Sequence, residues 1–152
     1  MQEPIIEIQN LITSYGNRRI LDGIDLTVYR GETLTILGRS GCGKSTLLRH
    51  IIGLSKPTSG RIFVKDREIT DLNEEELLPI LRKAGMLFQG AALFNSMTVG
   101  DNVALPLREH TELEESTIRI MTRMKLDQVG LGGFEDFMPA QLSGGMKKRA
   151  AL

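Results

Sequence analysis

The sequence predicts an α/β fold: a core in which a strand feeds a glycine loop and a helix, an N-terminal antiparallel β layer ahead of it, and a helical subdomain behind it. Three observations carry that prediction. The run Gly38 to Ser45 is glycine-rich, ends in Lys-Ser, and lies between a β-favouring stretch and apolar residues at helical spacing. Before it, Ile6 to Tyr15 and Leu21 to Tyr29 carry the alternation of half-buried strands. After Thr98, capping residues and one-sided apolar faces take over.

The core comes first. Gly38-Arg39-Ser40-Gly41-Cys42-Gly43-Lys44-Ser45, followed by Thr46, fits G-x-x-x-x-G-K-[ST], a loop whose backbone N–H groups turn inward around the phosphates of a nucleotide. Gly38, Gly41 and Gly43 let the backbone approach an anion closely. Lys44 brings a point charge to the β/γ-phosphates, and the Ser45 hydroxyl suits a hard Mg²⁺ ion. Thr46 leads into a helix whose positive end faces the same phosphates. Thr33 to Leu37 is the predicted strand ahead of the loop, and Leu47, Leu48, Ile51 and Ile52 mark the helix behind it. The sequence therefore predicts a P-loop NTPase core.

The length of 152 residues suits one ordinary domain. With 19 basic and 19 acidic residues, the chain has neither the charge of an electrostatic nucleic-acid binder nor a polybasic membrane address. No apolar run approaches the roughly 18 residues of a membrane span, and Met1-Gln2-Glu3-Pro4 opens no signal peptide, so a soluble protein is expected. Cys42, the single cysteine, fits a reducing cytosolic setting and reads as a variable loop position rather than a nucleophile. His50 and His110 stand alone, so no metal cluster is expected.

In chain order, Ile6 to Tyr15 and Leu21 to Tyr29, the latter with Ile24, Leu26 and Val28 at period two, form the antiparallel layer. Tyr15-Gly16-Asn17 turns the chain between them. Lys56 to Gly60 is a loop, Arg61 to Lys65 a short strand, and Asp66 to Ile69 its hairpin return. Asn73 with Glu76 resembles a capping box, and Pro79 makes the helix that follows short or kinked, ending near Lys83. Ala84 to Gln89 reads as a buried strand ending in a polar residue. Thr98 with Asp101 caps a helix through Leu105, ended by Pro106. Thr111 with Glu114 caps a longer one to Val129, with Ile118, Met121, Leu126 and Val129 on one face. Residues 1–92 thus form the core with its β layer, and 93–152 the helical subdomain.

Leu142-Ser143-Gly144-Gly145-Met146 is the other informative stretch. Ser143 is a natural N-cap, and two glycines at a helix start leave N–H groups bare for an anion. Paired with the phosphate loop upstream, the stretch resembles the signature of the ATP-binding cassette (ABC) ATPase family, and the resemblance covers essentially the whole chain. The resemblance implies that ATP, with Mg²⁺, is sandwiched between the phosphate loop of one subunit and the Leu-Ser-Gly-Gly of a second, so the working unit is a homodimer. It assigns Tyr15 to adenine stacking and residues Gly38 to Thr46 to the phosphates. Gln89 goes to Mg²⁺ and the attacking water, and Ser143, Gly144 and Gly145 to the γ-phosphate held by the partner. Lys44, Gln89 and Ser143 are the implied catalytic residues, and Ser45 and Gln89 the metal contacts.

Met146 stands where the family usually has Gln. That departure, with Phe88 to Phe94 and Leu105 to His110, resembles the branch that powers Mla-type phospholipid transport, also described as toluene-tolerance or MCE-associated transport. The resemblance implies an integral membrane permease subunit as partner, lipid cargo handled only indirectly, and a cytoplasmic location on the inner face of the cytoplasmic membrane. Rival readings are an ABC ATPase for another cargo, a soluble non-transport ABC ATPase, and a nucleotide-binding module without turnover. Hydrolysis in this family needs an apolar strand ending in Asp-Glu, and no such run follows Ser143. These 152 residues are accordingly expected to be the N-terminal part of a longer ATPase, inactive on their own.

Overall fold

The computed structural model describes residues 3–152. The chain divides into two compact units, one ending at Met86 and the other running from Leu87 to Leu152.

The first unit is built on strands β1 (Pro4–Tyr15) and β2 (Arg18–Tyr29), helix α1 (Lys44–Ile51), strands β3 (Ser59–Val64) and β4 (Arg67–Glu68), and helix α2 (Glu74–Leu81). The sheet is antiparallel throughout, in the order β2-β1-β3-β4, as the alternation predicts. A register shift between Ile8 and Leu11 interrupts β1 at Asn10, whose φ is 46°. The extra residue re-aims the strand, so that Ile8 and Leu11 both enter the core despite their odd spacing. Gly60 is required at that point, because a Cβ there would lie 2.5 Å from the Asn10 carbonyl oxygen. Lys65 and Asp66, at φ 49° and 62°, make the tight left-handed turn between β3 and β4. Ile8, Leu11, Leu21 and Ile62 form the sheet's contribution to a core that Leu47 of α1, Ile69 and Leu77 of α2 complete. The capping box is present: Asn73 Oδ1 accepts from the Glu76 N–H at 3.0 Å, and Glu76 Oε2 from the Asn73 N–H at 3.1 Å.

Two predicted strands are absent among the described residues. Thr33 to Leu37 and Ala84 to Gln89 carry no ladder hydrogen bonds and no regular structure. Their residue types favour extended backbone, but a strand exists only with a partner, and β1 to β4 pair only with one another. Leu34, Ile36 and Leu37 consequently stand 41%, 37% and 86% exposed.

The second unit contains α3 (Val99–His110), α4 (Glu115–Gln128), a 3₁₀ turn at Pro139–Gln141, and α5 (Gly144–Ala150). Its core is Val99, Leu126, Leu131, Leu142 and Ala150, with Val103, Phe134 and Met146 packed against it. Thr98 caps α3, its Oγ1 accepting from the Asp101 N–H at 3.0 Å. The helix does not end before Pro106 but runs through it to His110. Arg108 shows why the last turn holds: its guanidinium donates to Asp101 of the same helix and to both Glu115 oxygens of α4. Thr111 does not cap α4 either. Its hydroxyl donates to the Leu107 carbonyl at 2.6 Å and closes α3 instead, while α4 starts from Glu114 without a side-chain cap.

Candidate functional site

Helix α1 begins in an unusual way. Its N-cap is Gly43, at φ 100° and ψ 1°, a left-handed conformation that brings no side chain to the helix end. The first N–H bonded back is that of Leu47, to the Gly43 carbonyl at 2.9 Å. The N–H groups of Lys44, Ser45 and Thr46 have no acceptor among the described residues, and the first turn carries no acidic side chain. Three bare donors and the positive helix end therefore face one place.

Gly43 is glycine for a second reason. A Cβ there would lie 2.8 Å from Leu21 Cδ2 and 3.1 Å from Ile20 Cγ2, because the loop rests directly on β2. Gly41 is also left-handed, at φ 77°. At Gly38 a Cβ would meet the Cys42 sulfur at 2.6 Å, so the small residue lets the loop fold across itself. Lys44 Nζ donates to the carbonyls of Gly38 and Arg39, both at 2.8 Å, which holds its ammonium at the loop's mouth. Cys42 is exposed, with its sulfur 3.6 Å from that ammonium. The structure thus gathers Gly38 to Thr46 into one anion-accepting cradle, and the chemistry of its donors fits a phosphate chain.

Tyr15 ends β1 opposite Arg18 and is 56% exposed. Gln89 is exposed in the second unit, beside a turn closed by the Ala91 N–H and the Phe88 carbonyl at 3.0 Å. Ala91 and Ala92 both adopt left-handed φ there, 67° and 53°. Ser143 caps α5, its Oγ accepting from the Met146 N–H at 3.2 Å. Gly144 and Gly145 have ordinary φ and nothing within 4 Å of a hypothetical Cβ. Among the described residues, nothing within the fold demands glycine at either position. Met146 is half-buried against the second core, which accounts for an apolar side chain at that position.

The position of Ser143 is secured from two sides. The Val99 and Gly100 N–H groups, orphans of the first α3 turn, donate at 2.8 Å to the carbonyls of Phe137 and Glu135 on the segment leading to it. Arg149 of α5 donates to the Val129 carbonyl at 2.7 Å and caps the end of α4.

The profile of the ABC transporter family matches residues 21–152. The chain belongs to that family. Among relatives of this ABC transporter chain, the intermembrane phospholipid transport system ATP-binding protein MlaF of Haemophilus influenzae is 45% identical over 152 residues, all of this chain and 58% of that protein. The probable ribonucleotide transport ATP-binding protein mkl of Mycobacterium bovis is 46% identical over 147 residues, 97% of this chain and 41% of that one. Among solved structures, a post-hydrolysis dimer of the ATP-binding cassette MJ0796 bound to ADP and Pi aligns with a TM-score of 0.89 at 32% identity, covering 96% of this chain and 66% of that one. The chain therefore spans little more than half the length of the MlaF relative. The predicted α/β cassette fold is confirmed. No helix among the described residues is long and apolar enough to cross a membrane.

Sequence reasoning identified the loop but missed what supports it. Of the two residues that back Gly43, Leu21 reads from the sequence only as the start of a strand and Ile20 lies just outside the predicted strand. Their signal was the absence of a Cβ at Gly43, legible only once the contact is known.

Proposed function

We propose that this chain is the nucleotide-binding portion of the ATP-binding subunit of an ABC transporter that moves phospholipid between membranes of the cell envelope. The observation that carries the proposal is the cradle formed by Gly38 to Thr46, in a chain 45% identical along its whole length to MlaF. In this reading the N–H groups of Lys44, Ser45 and Thr46 and the Lys44 ammonium hold the ATP phosphates, Ser45 and Gln89 hold Mg²⁺, and Tyr15 stacks on adenine. Mg²⁺ supplies charge neutralisation at the phosphates when bound. Ser143, Gly144 and Gly145 act across a homodimer on the partner's nucleotide, and the functional division falls at residues 1–92 and 93–152. Closure of the dimer drives an integral membrane permease, with the cassette on the cytoplasmic face of the membrane.

Lys44→Ala tests the core of the reading. Removing a charge-assisted donor to phosphate lowers ATP affinity by about ten- to a hundredfold, measured by titration with a fluorescent ATP analogue. In cells, the same substitution in the whole protein stops lipid transport while leaving assembly with the permease intact; undiminished transport would overturn the assignment. A second reading, a ribonucleotide cargo, is favoured by the likeness to mkl, a probable ribonucleotide transport ATP-binding protein. Radiolabelled lipid and ribonucleotide, offered to membrane vesicles containing the whole transporter, separate the two.

A further inference from the structure

His50 is the most buried titratable side chain of the first unit, at 1% exposure, and the phosphate cradle does not use it. It lies in the last turn of α1 and is held on both ring nitrogens. Nδ1 is 2.7 Å from the Ser55 carbonyl oxygen and 3.1 Å from Ser55 Oγ; the nearer carbonyl can only accept, which assigns a proton to that nitrogen and leaves the hydroxyl to accept as well. Nε2 is 2.8 Å from Oγ1 of Thr13, itself only 2% exposed, and in the neutral ring it accepts the hydroxyl proton. Thr13 is two residues before Tyr15 on β1, and it pairs with Leu21 of β2. Leu21 is the residue whose Cδ2 packs over Gly43.

One rung of the hairpin therefore touches α1 at both ends. Leu21 meets the helix at its N-cap, and Thr13 meets it near its C-terminus, seven residues or about 10 Å along the axis. One contact sets the distance between hairpin and helix, and two set the tilt as well. A leucine of similar size at position 50 would fill the space but drop both directional bonds and strand the Thr13 hydroxyl.

We propose that His50 is a positioning residue for nucleotide: it locks the hairpin bearing Tyr15 to the helix that begins at Lys44, so that base and phosphates are held at one spacing. The proposal rests on the nucleotide-binding reading above and deepens it. A histidine that merely satisfies the core would support stability alone; a positioning histidine discriminates between ligands with and without a base.

The test compares ATP with inorganic triphosphate, which shares the phosphates and lacks the base, on the whole protein. His50→Leu lowers ATP affinity about tenfold, within the range a stacked base contributes, and leaves triphosphate affinity unchanged within about twofold. Tyr15→Ala gives the same selective loss, and the double variant loses little more than either alone. Thr13→Val, which removes the hydroxyl at constant shape, repeats the pattern and serves should His50→Leu fail to fold. His50→Gln, with a donor and an acceptor, recovers part of the lost ATP preference. Equal loss for both ligands, no loss for either, or full additivity with Tyr15→Ala would overturn the positioning role while leaving the cradle standing. Binding of neither ligand by the unsubstituted protein would instead sink the nucleotide reading, and this proposal with it.

Discussion

Gly43 shows how one residue answers two demands. Its φ of 100° is a conformation that side chains disfavour, and the space beside it is filled by Leu21 and Ile20. Gly43→Ala therefore meets backbone strain and a steric clash together, and is expected to lower unfolding stability by about 2–3 kcal/mol, read from the denaturant midpoint. Gly144→Ala provides the contrast. With ordinary φ and open space it lies at a helix start, where alanine is tolerated, and the unfolding midpoint shifts by under about 1 kcal/mol in either direction. Local chemistry made the loop Gly38 to Ser45 legible in advance, because its pattern is complete within a stretch of eight residues. His50 was legible only as a lone histidine, since its partners Thr13 and Ser55 are named by the fold and not by any spacing.

At the scale of elements, α3 and α4 share the apolar core of Val99 and Leu126 and are also tied by an ion-pair network at the surface. Arg108 bridges Asp101 at 2.9 Å and takes both carboxylate oxygens of Glu115. Its guanidinium holds the carboxyls of Asp101 and Glu115 below their usual range, with the Thr98 hydroxyl helping at Asp101. Groups with depressed folded values add stability above the ordinary carboxylate pKa and lose it as pH falls through the lowered one. At pH 7 Arg108→Gln is expected to lower the denaturant midpoint only slightly, as solvent screening of exposed pairs dictates. The difference between variant and unsubstituted protein then closes as pH falls below the ordinary carboxylate range and through the lowered values of Asp101 and Glu115, and chemical denaturation at a series of pH values measures it. This bridge also accounts for the difference at Pro106 between the predicted helix end and the observed one. The local penalty for an internal proline is visible in the sequence, whereas the compensating grip of Arg108 on the next helix is not. Thr33 to Leu37 failed for a related reason: propensity belongs to the residues, but a ladder belongs to the neighbours.

The whole chain contains the parts that would hold nucleotide but no apolar run ending in Asp-Glu after Ser143. These 152 residues alone are expected to show no ATP turnover above background in a phosphate-release assay, and robust turnover abolished by Lys44→Ala would overturn that expectation. The bare N–H groups at the start of α1 carry a practical consequence. Unbonded amides trade their protons for deuterons with the solvent almost without protection, whereas Leu47, bonded to Gly43, lags behind. A bound phosphate chain would quench that exchange at Lys44, Ser45 and Thr46 first, so the loop carries its own isotopic gauge of occupancy, readable residue by residue without any label on the ligand.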